Sequence, residues 1–311
     1  MELICVNRKD YDKIVINEKY IYNSSWFHEL NKEKVEKIKR LLFKTKKYKL
    51  AIIGGIINKE MKFPYSAPFS IFEKLDKNIS IENIDEMLKL LEDYCINNNI
   101  SKISFKLPPF FYDETFCNKI SNSFIRAGYI VDKYDLNYQF YLKNIDCLNK
   151  NMKRNAIKNL NISKKFNYYL IHCDNINLKK EAYNIIAENR KNKGYPLRMT
   201  WNQVSETINN LDHDIFILKL NNVSIASAII FRVTIDVYQV IYWGDIEGYT
   251  EKRPMNYLSY YLCLYYLEKG IKVLDIGPST ENGIPNFGLC SFKESIGCEV
   301  SGKITYLKKF R

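Results

Sequence analysis

The chain has 311 residues, length for about two domains, and its 46% hydrophobic and 26% charged residues are the balance of a chain that buries a core. No apolar run reaches the roughly 18–20 residues of a membrane span, and residues 1–10 lack the cationic start and apolar core of a signal peptide, so a cytoplasmic protein without a transmembrane segment is expected. The net charge of +12 suits anionic partners such as tRNA, lipid headgroups or nucleotide-sugar phosphates, although a chain so rich in Lys, Asn, Ile and Tyr also draws lysines from its base composition.

In chain order, paired strands are expected at 49–58 and 62–72, followed by a helix with one apolar face at 84–96 and a short strand at 102–106. After Pro108-Pro109 comes a helix at 112–126, stopped at Gly128, and a strand at 129–142. The polar stretch that follows places a domain boundary near 145, giving domains 1–145 and 146–311. Residues 148–165 read as a basic helical stretch, 167–173 as a strand, and 178–191 as a helix stopped near Gly194 and Pro196. Thr200 with Gln203 is a capping box opening another helix. Strands at 214–220 and 223–233 flank Asn221-Asn222, which suits a tight hairpin, and a third strand covers 237–244.

Pro254 fits the first turn of a helix that is apolar nearly all round from Tyr257 to Leu267, hence buried, and ends near Gly270. A short strand at 271–276, a Gly/Pro/Ser loop, a helix at 286–296 stopped by Gly297, and a strand at 299–310 complete the chain. Both halves end in strand, helix, glycine and long strand, a structural repeat. The fold class is α/β, with mixed sheets of the α+β kind.

Eight cysteines are scattered singly without a Cys-x-x-Cys pair, so free thiols and no metal site are expected. His28, His172 and His213 show no pairing with Cys or carboxylates, and no Walker loop, Rossmann fingerprint or zinc signature is present.

The order of elements in the second half is similar to the GNAT acyltransferase fold. Four segments carry a further resemblance: Pro64-Tyr65-Ser66-Ala67-Pro68-Phe69, Asp135-Leu136-Asn137-Tyr138, Leu274-Asp275-Ile276-Gly277-Pro278-Ser279, and the run from Gly288 to Cys298. Two GNAT-like units in tandem, joined through a basic helical stretch, resemble the Fem-type peptidoglycan aminoacyltransferases and related acetyltransferase-like proteins of surface-polysaccharide loci.

The GNAT resemblance implies a donor pyrophosphate at the start of the helix after the third antiparallel strand, where backbone N–H groups face phosphate oxygens. The family pattern there, Gln/Arg-x-x-Gly-x-Gly/Ala, falls on Arg253-Pro254-Met255-Asn256-Tyr257-Leu258. Arg253 matches, Asn256 replaces the first glycine, Leu258 the second small residue, and Pro254 removes one donor. The resemblance makes acyl-CoA the donor substrate, with Arg253, Met255, Asn256 and Tyr257 at its site.

Asp245 and Glu247, at the end of the 237–244 strand, and Asp275, entering a Gly-rich loop, are carboxylates placed to hold or deprotonate an amine, with Asp245 and Asp275 the catalytic candidates. Each also reads as a turn residue. Tyr242, Ser279, Thr280 and Asn286 add polar groups beside them, and Lys293 offers a charge to a phosphate or a developing oxyanion. Arg190, near a helix end, is placed to reach the acceptor or to cap carbonyls, while Tyr65 and Ser66 lie on a stiff loop between two prolines, expected to face a cleft between the halves.

The first expectation is N-acyl transfer from acyl-CoA to an amino sugar on a nucleotide- or lipid-linked precursor, with peripheral contact at the inner membrane surface. A second keeps the fold and makes the donor an aminoacyl-tRNA touched by the basic helix. A third is a non-catalytic nucleic-acid-binding protein, although the tyrosines form no recognisable stacking module.

Overall fold

The structure is a computed structural model describing residues 1–310. Its elements in chain order begin with β1 (Glu2–Val6), α1 (Arg8–Ile14), α2 (Ser25–Leu30), β2 (Lys37–Lys44), β3 (Tyr48–Ile57), β4 (Glu60–Phe63), β5 (Glu73–Lys74), α3 (Ile81–Asn97), β6 (Lys102–Lys106), α4 (Glu114–Arg126) and β7 (Ile130–Tyr141). They continue with α5 (Ile145–Asn151), α6 (Arg154–Ser163), β8 (Tyr168–His172), α7 (Ile176–Asn192), α8 (Trp201–Ile208), β9 (His213–Leu220), β10 (Val223–Arg232) and β11 (Val237–Asp245). Last come α9 (Pro254–Glu268), β12 (Val273–Pro278), β13 (Thr280–Glu281), β14 (Ile284–Pro285), α10 (Phe287–Ser295) and β15 (Glu299–Lys309). Among the described residues no helix is long and apolar enough to cross a membrane.

The chain forms two compact units, Met1–Leu136 with the chain from Ser301 onward, and Asn137–Val300. In the first, the sheet runs β1-β2-β3-β4-β6-β15, with Thr305 of β15 antiparallel to Lys106 of β6. These units differ from two contiguous halves meeting at 145, because the last strand finds its hydrogen-bonding edge on β6. The expected strand at 62–72 stops at Phe63, since Pro64 and Pro68 cannot donate to a ladder. Helix α3 starts in a capping box between Ser80 and Asn83 and buries Ile84, Met87, Leu88, Leu91 and Cys95, the i, i+3, i+4 stripe of an amphipathic helix.

The second unit carries the sheet order β7-β12-β11-β10-β9-β8, with Asn137–Tyr141 of β7 as its first strand. The β9–β10 hairpin turns on Asn221 and Asn222 at φ 50° and 64°, the left-handed pair that a tight primed turn demands. Helix α7 covers one face of β9–β11, and α9 covers the other face of β10 and β11. Leu258, Leu262, Cys263 and Tyr266 of α9 are buried between that sheet and α6. The basic stretch is two helices, parted at Met152; α6 buries Ala156, Leu160 and Ser163 and turns Arg154 and Lys158 to solvent.

Candidate functional site

Strands β11 and β12 run parallel but pair only at Val237–Val273, Tyr238–Leu274 and Gln239–Asp275. Beyond that point β11 continues to Asp245 and β12 to Pro278 without pairing, so the sheet opens into a wedge. Asp275 sits at the vertex, 0% exposed. Its Oδ2 accepts from Gln239 Nε2 at 2.6 Å, and its Oδ1 accepts from Asn137 Nδ2 at 2.7 Å and from the Gly277 N–H at 2.8 Å. The two side-chain donors come from the strands on either side and the Gly277 N–H from β12 itself, so the carboxylate fastens β7, β12 and β11 where they part. The expectation that Asp275 binds or deprotonates an amine is corrected by this geometry: the group is sealed from solvent and its oxygens are engaged.

Both strands of the fork carry a bulge. In β11, Ile229 faces Tyr242 and Ile230 faces Val240, leaving Ile241 as an extra residue. A bulge resets the two-residue alternation. Tyr238 accordingly packs on Tyr266 of α9 with ring centroids 4.8 Å apart, whereas Tyr242 and Gly244 turn to the α7 face. In β12, Asp275 faces Gln139 and Gly277 faces Tyr138, leaving Ile276 extra, and Gly277 takes φ 73°. Successive carbonyls of a regular strand point to opposite sides. Here the bulge brings three onto one group: Lys293 Nζ donates to the carbonyls of Ile276 at 3.0 Å, Gly277 at 2.9 Å and Pro278 at 3.2 Å.

A neutral amine has two hydrogens and an ammonium three, so three carbonyl acceptors select the charged form. Burial acts against it: Lys293 is 2% exposed, and its pKa is pushed down to about 8, with the Asp275 carboxylate among the charges opposing that fall. The three donors are engaged, so what Lys293 offers the wedge is its charge and not a free hydrogen-bond donor.

At the rim, the guanidinium of Arg190 lies 5.7 Å from the ring centroid of Tyr242 and 5.8 Å from that of Tyr195. No carboxylate among the described residues pairs with it, and its Nε is buried without a partner. Burial lowers its pKa, the two phenols working the other way. Tyr195, which the sequence analysis passed over, is tied across the rim by Asn286 Nδ2, donating to its hydroxyl at 2.8 Å. The Ser279 hydroxyl is also buried without a partner, and the Ser279 carbonyl accepts from the Asn286 N–H at 2.9 Å. Asp245 stands at the far end of β11, six residues and about 20 Å of strand from Gln239. Its Oδ1 lies 3.5 Å from Lys193 Nζ and 3.3 Å from Asn189 Nδ2, and Glu247 beyond it is exposed. Asp245 and Asp275 therefore do not meet: one is at the mouth, the other at the vertex.

At the start of α9, Arg253 is the N-cap in the left-handed region, φ 58° and ψ 45°, and Pro254 is the first helical residue. The N–H groups of Asn256 and Tyr257 both return to the Arg253 carbonyl, at 3.2 and 3.3 Å. Proline has no N–H, so Met255 alone of the first-turn residues offers a donor there. Asn256 is buried, and Tyr257 packs on Tyr168 with centroids 4.9 Å apart, its hydroxyl 3.5 Å from the Tyr168 carbonyl.

Tyr65 and Ser66 belong to the first unit, where Tyr65 donates to the His28 carbonyl at 2.7 Å and packs over Gly55, and Ser66 donates to Asn31 Oδ1 at 2.9 Å. Those contacts fix a loop. Of the sequence-derived residues, the structure gathers Arg190, Tyr242, Ser279 and Lys293 around the wedge and sets Arg253, Met255, Asn256 and Tyr257 at a separate helix start. Among the described residues no cluster of His, Cys, Asp or Glu is suited to a metal ion.

No family model and no curated protein matches the sequence. Solved structures do. The crystal structure of FemX superposes with a TM-score of 0.73 at 12% identity, covering 100% of this chain and 98% of that one. The chain has the fold of that structure. L-PGS from Bacillus licheniformis follows at a TM-score of 0.63 and 11% identity, with 98% of this chain and 93% of that one covered. A GCN5-related glucosamine N-acetyltransferase region of a fungal multi-domain β-N-acetylglucosaminidase aligns at a TM-score of 0.51 and 10% identity, over 98% of this chain and 38% of that one.

Proposed function

We propose that the second unit is an acyltransferase centre that moves an aminoacyl group from an ester-linked carrier to an amine. The parted strands β11 and β12, with the buried Lys293 ammonium at the wedge, carry this reading. A carbonyl lying in the wedge meets an electropositive wall, which favours the oxyanion that forms when an amine attacks. The new C–N bond forms as the ester C–O bond breaks, and the proton lost by the amine, taken up by Asp245 directly or through water, is returned to the departing carrier oxygen, which leaves as a hydroxyl. Arg190, a cation without an anionic partner, suits a phosphate or carboxylate on the acceptor. The acceptor in this reading is an amine on a nucleotide- or lipid-linked precursor.

The choice of donor rests on the start of α9. Coenzyme A binding draws on several free N–H groups at a helix start, and this one retains Met255. A tRNA-borne ester needs no such nest. The solvent face of α5 and α6, with Lys150, Arg154, Lys158, Lys164 and Lys165 exposed, offers the cationic surface that a polyanion follows. Acyl-CoA remains the second reading, because Arg253 with its unpartnered Nε beside the Met255 N–H is a minimal phosphate site.

Single-turnover transfer from charged tRNA to amine acceptors, run beside acetyl- and succinyl-CoA, tests the proposal. Transfer from CoA thioesters with none from tRNA reverses the donor, and no transfer from either defeats the reading. Asp245→Asn, at a half-exposed ion pair, should keep the fold and slow turnover by about 10²–10⁴ if Asp245 is the base. Full activity moves that role to water or to a backbone group.

A further inference from the structure

The rim of the wedge carries apolar side chains that nothing in the unit covers. Ile284 is 73% exposed and Phe287 79%. Single exposed apolar residues are ordinary on a protein surface, whereas two large ones at one edge of a candidate site mark a contact surface. Their position is held firmly. Glu281 pairs with Ile284 across the β13–β14 hairpin, whose turn residues Asn282 and Gly283 take φ 54° and 81°. The hairpin is bound to the loop after α7 by Asn286–Tyr195 at 2.8 Å and Arg198–Glu281 at 2.8 Å. The last turn of α7 brings Arg190 and Lys191 and the loop brings Lys193 and Arg198, so the rim has four cations against the Asp245 and Glu281 carboxylates, and Tyr195 adds a third exposed ring or chain beside Ile284 and Phe287.

Apolar tips, an interfacial tyrosine and an excess of cations on one rigid edge are what an anionic bilayer surface attracts: the cations meet lipid phosphates while the apolar groups enter the headgroup boundary. We propose that the β13–β14 hairpin, the end of α7 and the 193–198 loop form a lip that seats the second unit on an anionic phospholipid surface. The wedge then opens at headgroup level, where a lipid-linked acceptor presents its amine. That last consequence rests on the acyl-transfer reading; the seating does not, and it is measured without turnover.

The test is co-sedimentation of the full chain with phosphatidylcholine vesicles containing phosphatidylglycerol, and with phosphatidylcholine alone. The chain should pellet with the first and much less with the second. The double variant Ile284→Ser/Phe287→Ser should bind about tenfold more weakly, because apolar insertion is lost while the charge is kept. Both substitutions are on exposed side chains, so its melting temperature should stay that of the parent. Replacing Lys150, Arg154 and Lys158 of the α5–α6 surface with Gln should weaken binding less than the double variant does. Wild-type binding by the double variant, a larger loss in the triple one, or no binding to phosphatidylglycerol vesicles would overturn the lip. So would light scattering in which the parent is a dimer and the double variant a monomer, since the apolar edge would then serve a second copy of the chain.

Discussion

Gln239 Nε2 lies 2.6 Å from Asp275 Oδ2, at the last pair of residues in register before β11 and β12 part. The bond sets how far the sheet unzips. Asp275→Asn puts an amide hydrogen-bond donor among three donors, in a site sealed from solvent. It should lower stability by about 3 kcal/mol, read as a shifted urea midpoint with an unchanged slope. A variant as stable as the parent but inactive would return Asp275 to the chemistry.

Lys293 supplies a pH signature. Unfolded, a lysine titrates near 10.4; folded, this one sits at about 8. Between those values the unfolded chain holds a proton that the folded chain has released, so the contribution of this group to stability rises with pH across that window. Measured against Lys293→Met, the parent should gain on the order of 1–3 kcal/mol between pH 7 and pH 10. A difference that stays flat would mean that the ammonium is not held down by burial. Turnover, in contrast, should fall with an apparent pKa near 8 as the charge beside the wedge disappears.

Gly277 tests the carbonyl cradle. A methyl group there meets no atom within 4 Å, so Gly277→Ala brings no clash. What it brings is a side chain at φ 73°, a conformation that costs an L-residue about 1–2 kcal/mol. Calorimetric melting should show that loss. If the cradle aims the Lys293 charge, turnover should fall further than the stability loss explains, with KM little changed.

At the start of α9 the backbone and side-chain roles of Arg253 can be separated. Arg253→Gly suits φ 58° and should melt at or above the parent temperature, whereas Arg253→Ala gains no such relief. If Arg253 holds a donor phosphate, both variants lose about 1–3 kcal/mol of donor binding by calorimetry. Unchanged affinity would take the phosphate elsewhere.

Arg190→Ala should raise KM for an anionic acceptor about tenfold or more and leave donor binding alone. Arg190→Lys should recover little of it, because a lysine lacks the planar fork that binds an anion with two hydrogen bonds while lying within 5.8 Å of the Tyr195 ring centroid and 5.7 Å of the Tyr242 one. An effect confined to kcat would count against acceptor binding.

Local signals in the sequence anticipated much of the fold. The Thr200–Gln203 capping box, Pro254 at a helix start, the Asn221-Asn222 turn, and Gly128, Gly270 and Gly297 after helices all stand where their backbone chemistry places them. The first 45 residues gave no comparable signal, and β1, α1 and β2 went unassigned there: Lys37–Lys44 alternates lysines with apolar residues only at its start, and α1 is a single short amphipathic stretch. The site was harder to read, because its defining contacts are remote in sequence. Asn137 and Asp275 meet across 138 positions, and no local pattern announces that two buried amides will close around that carboxylate. The bulge at Ile241 is equally silent, yet it sends Tyr242 to Arg190 instead of to the α9 face. Charge alone could not tell a solvated Lys293 from a caged one.

The placement of β15 beside β6 has a consequence for synthesis. The first unit is nearly all translated by Leu136, but its sheet lacks a strand until Ser301 and beyond have left the ribosome. At about 5–20 residues per second, making the intervening unit takes on the order of ten to thirty seconds. Throughout that time β6 presents an unpaired edge flanking the buried Ile103 and Phe105, an edge that any other nascent strand can template. The second unit can close first, so the order of folding runs against the order of synthesis, and a fragment ending near 145 should be recovered as aggregate and not as a folded domain.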